Sequence, residues 1–248
     1  MGEVDDRPDM RPAFYAADGS GWRQWWTILH PPYTAWHLGY VVIGASLAPR
    51  VALTPMLAAV GAFLLAVGVA AHALDELHGR PLRTTIPSAA LGAATGIGLA
   101  GAAALGALGV VRVGWVLVPF IVVGPLLVVG YNVELFGGAI HHDTGFAACW
   151  GAFPVLTGYV AEAHTLSVAP VLAALGAFAL SLAQRHLSTS ARTLRRHVVT
   201  VEGTMHLDDG SHRPIAAATL LGPTEGALLG MSWAVVLIAA ALAVARMA

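Results

Sequence analysis

Long apolar runs separated by short polar stretches set the pattern of this chain. Seven apolar segments stand out, at residues 33–49, 51–74, 86–111, 113–133, 145–161, 166–183 and 226–244. About 20 apolar residues suffice for a helix to cross a bilayer. The pattern therefore predicts an all-α fold, a polytopic bundle of about seven transmembrane spans. Residues 1–28 precede it as a polar N-terminal segment, and residues 29–248 read as one transmembrane helical domain without internal repeats. The N-terminal segment lacks the apolar stretch of a cleaved signal peptide, so the first span is expected to serve as the insertion signal. Trp22, Trp25, Trp26, Tyr33 and Trp36, interleaved with Arg23 and His30, predict an interfacial aromatic belt on a short helix. Pro31-Pro32 should break that helix before the first span.

One polar stretch breaks the helical pattern. After the basic run from Arg185 to Arg196, Val199, Val201, Met205 and Leu207 alternate with Thr200, Glu202, Thr204 and His206, and Asp208-Asp209-Gly210 follows. A period of two ending in Asp-Gly predicts a small β-hairpin near 198–213.

Composition agrees with a bilayer setting. The chain is 57% hydrophobic and 11% charged, with a mean hydropathy of +0.71. A soluble domain usually carries about twice that charged fraction. A net charge of -1 gives no case for nucleic acid. The single cysteine, Cys149, lies in an apolar run and reads as a packing residue. All 13 basic residues are arginine. With the N-terminus in the cytoplasm, Arg7, Arg11, Arg23, Arg80, Arg83, Arg185, Arg192, Arg195, Arg196 and Arg213 fall inside, and Arg50, Arg112 and Arg246 outside. That bias predicts a multi-pass protein with a cytoplasmic N-terminus.

This topology gathers three polar clusters on the cytoplasmic face. The first is His72, Asp75, Glu76, His78, Arg80 and Arg83; the second is Asn132, Glu134, His141, His142 and Asp143; the third is the run from Arg185 to Arg196. His72 stands three and four residues before Asp75 and Glu76, on one helical face. Carboxylates there suit Mg²⁺, and added imidazoles favour a transition metal. The metal-ligand candidates are His72, Asp75, Glu76, His142 and Asp143. The plain alternatives are an ion pair of Asp75 or Glu76 with Arg80 or Arg83 at the helix end, and capping of the fifth span by Asp143 and Thr144. Glu162 and His164 read as an ordinary outer loop. A phosphate-binding glycine loop, a His-Glu-x-x-His pair, a zinc cysteine pair and a serine triad signature are all absent from the sequence.

Three stretches carry a resemblance to a known family: 29–48, from Leu-His-Pro-Pro-Tyr-Thr to Gly-Ala-Ser-Leu-Ala; 71–81, Ala-His-Ala-Leu-Asp-Glu-Leu-His-Gly-Arg-Pro; and 142–159, which begins His-Asp-Thr-Gly-Phe and closes on Pro-Val-Leu-Thr-Gly-Tyr. Together they resemble the UbiA superfamily of intramembrane prenyltransferases, most of all its naphthoate branch, over residues 28–196. The resemblance implies helices around a cavity open to the cytoplasm and to lipid. It also implies Mg²⁺ held by Asp-rich motifs on an isoprenyl diphosphate, which departs to leave an allylic cation for an acceptor. Departures accompany it. Only Asp75 falls on an acidic position of the first motif, no second Asp-rich motif follows the sixth span, and seven spans stand where the family has nine. The reading is then Asp75 and Glu76 as catalytic residues around one ion, with Arg80, Arg83, Arg192, Arg195 and Arg196 holding the diphosphate. Prenyl transfer to a lipophilic acceptor is the expected reaction, and an acid-initiated terpene cyclase its neighbour. A transition-metal protein at the cytoplasmic rim and a non-catalytic lipid-binding scaffold are the alternatives from other classes.

Overall fold

The computed structural model describes residues 11–247, except the side chain of Phe136; Arg7 and the rest of 1–10 lie outside the described residues. The helices are α1 (Trp22–Ile28), α2 (Pro31–Ser46), α3 (Leu53–Leu77), α4 (Ser88–Val113), α5 (Trp115–Asn132), α6 (Leu135–Gly138), α7 (residues 143–163), α8 (Val168–Arg196) and α9 (Ala217–Met247). Five of them, α3, α4, α5, α8 and α9, are long and apolar enough to cross a membrane. The protein is a multi-pass helical membrane protein. The basic run after the sixth apolar segment is no separate element: α8 continues through it to Arg196 in a single helix.

α2 and α7 fall outside that set of five, and they lie at the centre. A methyl group on Gly44 would overlap the Val155 carbonyl, and one on Gly158 the Val41 carbonyl, so only glycine permits this approach of the two backbones. α2 also meets α9 where Gly39 faces Val235, and α8 where the Tyr40 hydroxyl donates to the Ala177 carbonyl at 3.3 Å. Trp36, Tyr40, Val155, Ala174, Ala177 and Val235 close into one buried cluster around this junction. A helix surrounded by protein needs no lipid-facing apolar side, which is why α2 carries Thr34, His37 and Ser46 buried.

Two helices are locally widened. Leu64–Ala71 within α3 and Ala148–Ala152 within α7 are π-helical, a feature that is rare and concentrated at functional sites. Both stretches border the same interior space, described below.

The predicted hairpin forms, but shorter. Thr204–His206 (β1) and His212–Pro214 (β2) pair antiparallel with Met205 opposite Arg213. Gly210 turns the chain at φ 80°, and Asp209 accepts from the Ser211 amide at 2.8 Å. Both strands are exposed, so the alternation from Val199 has no buried face to specify a longer ladder.

Candidate functional site: a polar cavity against an apolar crevice

All three polar clusters contribute to one cavity of about 340 Å³, within the roughly 300–1,000 Å³ common for small-molecule sites. α3 supplies His72 and Asp75; α2 supplies His30 at its cap, Tyr33 and His37; the end of α5 supplies Tyr131 and Asn132, and the connection to α7 supplies His141. α8 lays Gln184, Arg185, Ser188, Arg192, Arg195 and Arg196 along one helical stripe, and Glu225 comes from α9. Residues 12–15 of the N-terminal segment close one side with Phe14 and Tyr15. That segment is therefore more than an interfacial belt. Trp22, Trp25 and Trp26 of α1 stay exposed as expected for a belt, but Trp36 is fully buried and Tyr33 lines the cavity.

Several residues of this site face uncommitted. The Asp75 carboxylate has no hydrogen-bond partner among the described residues, while Arg192 and Arg196 on the facing helix act on it electrostatically. Among the described residues Arg192 itself reaches only the Thr189 hydroxyl, at 3.1 Å, and Arg196 the Pro12 carbonyl, at 3.2 Å. Three buried polar atoms of cavity-lining residues, His30 Nε2, Tyr131 Oη and Gln184 Oε1, have no hydrogen-bond partner among the described residues. Buried polar groups are normally paired; of the six unpartnered buried polar atoms among the described residues, these three line the cavity, and the others are Trp36 Nε1, Ser46 Oγ and Glu162 Oε1. His30 is also strained. It takes a left-handed conformation (φ 46°, ψ 58°) directly before Pro31, a region costly for a side-chain-bearing residue. Its ring stacks on His72 with centroids 4.2 Å apart, and its Nδ1 lies 2.8 Å from the Tyr15 hydroxyl. His37 Nδ1 meets the Trp150 carbonyl at 2.8 Å, inside the π-helical stretch of α7.

Other residues expected at the site are elsewhere. Glu76 is fully buried but turned away from Asp75. It accepts from the Leu82 amide (2.9 Å), the Thr84 amide (2.9 Å) and the Thr84 hydroxyl (2.8 Å). Adjacent residues on a helix stand about 100° apart, so the pair straddles two faces; the loop after α3 folds back over one of them and engages Glu76. Arg80 reaches the Thr84 and Ile86 carbonyls and the Ser88 hydroxyl, tying down the same loop, and Arg83 lies outside the cavity beside Arg11 and Asp18. His142, not Asp143 or Thr144, caps α7: its Nδ1 accepts from the Gly145 amide at 3.1 Å. Asp143 pairs with Arg185 at 3.1 Å. The proposed ligand set of His72, Asp75, Glu76, His142 and Asp143 is thus not brought together. Among the described residues no group of three or more His, Cys, Asp or Glu is placed to hold a metal ion. Arg195 makes a two-pronged pair with Glu225, Nη2 to Oε2 at 2.8 Å.

The sequence reading missed Tyr15, His37 and Gln184, and took His30 and Tyr33 for belt residues. A signal for α2 was present: His30, Tyr33, Thr34 and His37 recur at helical spacing. Tyr15 had none, because its partner is fifteen residues away on another element.

An apolar crevice of about 110 Å³ adjoins the cavity, sharing Val67 and Trp150 as walls. Small residues shape it, Ala59, Ala62 and Ala66 on α3, Ala102 and Gly106 on α4 and Gly124 on α5, with Phe120 and Phe153 closing it. No protein-family model, no curated protein and no solved structure matches this chain.

Proposed function

We propose that this protein is a divergent UbiA-like membrane enzyme that acts on an isoprenoid diphosphate, with transfer of the prenyl group to a lipophilic acceptor as its reaction. One observation carries the reading: a cavity lined by four arginines lies wall to wall with an Ala- and Gly-lined apolar crevice. That pairing suits an amphipathic ligand with an anionic head and a hydrocarbon tail. Arginines draw charge from a departing diphosphate, and Asp75 lines the same cavity as the aromatic rings among which an allylic cation would form. The cavity is on the cytoplasmic side in this reading, as the arginine bias indicates. α2 and α7 also cross, for a total of seven spans. Each runs from the cavity to the opposite end: α2 from His30 to the carbonyls held by Arg246, α7 from Asp143 to Glu162 at the start of α3.

A terpene cyclase is the second reading. The unpaired Asp75 carboxyl among Tyr33, Tyr131, Phe146 and Trp150 has the surroundings of an acid that protonates a double bond.

Purified protein incubated with C5 to C20 prenyl diphosphates, with and without Mg²⁺, should release diphosphate, and Asp75→Ala should abolish release. Ala62→Phe, which fills the crevice, should cut turnover of C20 about tenfold or more while sparing C5. Product without diphosphate release selects the cyclase. No product at all, indifferent to Asp75→Ala, ends both readings in favour of a lipid-binding scaffold.

A further inference from the structure

We propose that the anionic head is bound without a divalent metal, on Arg192, Arg196 and the Nε2–H of His30, with Tyr15 as the residue that fixes the His30 tautomer. The inference rests on the diphosphate reading and names how that site holds its ligand.

Among the described residues, the carboxylates near the cavity leave little for a metal. Glu76 is committed to three donors of the returning loop, Asp143 to Arg185 and Glu225 to Arg195. Asp75 is left, and no further His, Cys, Asp or Glu forms a three-donor group with it among the described residues. The cavity wall meanwhile carries Arg185, Arg192, Arg195 and Arg196 against Asp75 and Glu225. With Arg185 paired to Asp143 and Arg195 to Glu225, Arg192 and Arg196 are set against Asp75 among the described residues, a net positive charge that disfavours a cation and attracts an anion.

His30 adds a donor that carries no charge. Its Nδ1 lies 2.8 Å from the Tyr15 hydroxyl, and Tyr15 has no other hydrogen-bond partner among the described residues. The residue is half-buried, with its ring stacked on His72. Burial, reinforced by His72, Arg196 and Arg192, holds its pKa well below the ordinary histidine range, so it stays neutral with one N–H. Burial likewise holds the Tyr15 phenol above its ordinary range, so it keeps its proton. If Nδ1 carried the imidazole hydrogen, the phenol hydrogen would be stranded. The arrangement that pairs the phenol has Tyr15 donating to Nδ1 and the imidazole hydrogen on Nε2. Nε2 is buried and lacks a partner among the described residues. An anion in this cavity completes that hydrogen bond. The groups around the ring are Tyr15 from the N-terminal segment, Tyr33 and His37 from α2, His72 from α3, and Arg192 and Arg196 from α8; among these, none is a carboxylate that would turn the imidazole into a cation.

The N-terminal segment is held so that Tyr15 keeps this place. Arg196 donates from Nε to the Pro12 carbonyl, and Phe14 stacks edge-on against Tyr33 at 6.3 Å. A group that binds the ligand is thus oriented by a segment outside the bundle.

The test is calorimetric titration of the full chain in lipid nanodiscs with inorganic pyrophosphate and with geranylgeranyl diphosphate, each in EDTA and in Mg²⁺. Affinity should differ by less than about threefold between the two conditions. Tyr15→Phe should weaken binding about tenfold and His30→Ala more, the loss expected for a hydrogen bond to a charged group. His30→Gln, whose amide restores a donor, should recover part of the loss. Nitrogen NMR of histidine-labelled protein should show the Nε2–H tautomer at His30, and a mixture in Tyr15→Phe. Binding that appears only with Mg²⁺ overturns the inference and leaves the diphosphate reading standing. Unchanged affinity and tautomer in Tyr15→Phe also overturn it. Failure of both probes to bind in both conditions removes the diphosphate reading and this inference together.

Discussion

The two ends of the bundle use the same kinds of side chain to opposite purpose. At the end away from the cavity, charged groups close helix termini. Glu162 Oε2 accepts from the Ala52 amide at 3.0 Å and so caps the start of α3; the sequence reading had taken Glu162 for a solvated loop residue. Arg246 donates to the Ala48 and Pro49 carbonyls at 2.6 and 2.9 Å, meeting acceptors that the end of α2 leaves open. At the cavity end Asp75, Arg192, His30 Nε2, Tyr131 Oη and Gln184 Oε1 are held by packing but, among the described residues, not matched to protein partners of equal strength. The first arrangement lowers the energy of the fold. The second leaves polar groups without protein partners among the described residues.

Asp75 and Glu76 bring that contrast down to neighbouring residues, and they supply the largest expected effects. Asp75→Ala should lower turnover about a thousandfold, typical of a lost acid or charge-stabilising group. Its thermal stability should be unchanged or raised, because a carboxylate without hydrogen bonds is removed from the interior. Glu76→Ala should do the reverse. It strands three donors of the loop 82–84, one of them the Thr84 hydroxyl, and should destabilise the protein by about 3 kcal/mol. Diphosphate release per folded molecule should fall much less than in Asp75→Ala. Denaturation and activity measured on both variants check the contrast. A stable, inactive Glu76→Ala together with an unstable, active Asp75→Ala would invert it.

How far the sequence led differs between fold and site for a physical reason. Apolar length and the Asp208-Asp209-Gly210 turn are local signals, and the five long helices and the hairpin follow from them. The arginine bias grouped residues near 75, 132–143 and 185–196 on one face, and the cavity does draw on all three. Helical spacing alone could not separate Asp75 from Glu76. Both fall near His72 on a helical wheel, and the choice was made by a returning loop whose Leu82 and Thr84 amides needed an acceptor. Hydropathy could not place α2 and α7 at the centre either, since their close approach depends on Gly44 and Gly158 meeting opposing backbone. Tyr15 was out of reach in the same way: nothing in an N-terminal run of mixed polarity marks a phenol that ends beside His30.

The smallest effect probes the opposite end. Arg246→Ala removes two hydrogen bonds to the Ala48 and Pro49 carbonyls, at a site open enough for water to replace much of what is lost. A loss of about 1 kcal/mol is expected, in line with a partly solvated side-chain to backbone contact. Turnover and pyrophosphate affinity should stay at the wild-type level, because Arg246 is not among the residues lining the cavity. If Arg246→Ala instead weakened pyrophosphate binding as much as Arg192→Ala, the division between a structural end and a binding end would be wrong. α2 would then be transmitting strain along its length from Ala48 to His30. Its close contact with α7 at Gly44 is the physical route by which that would occur.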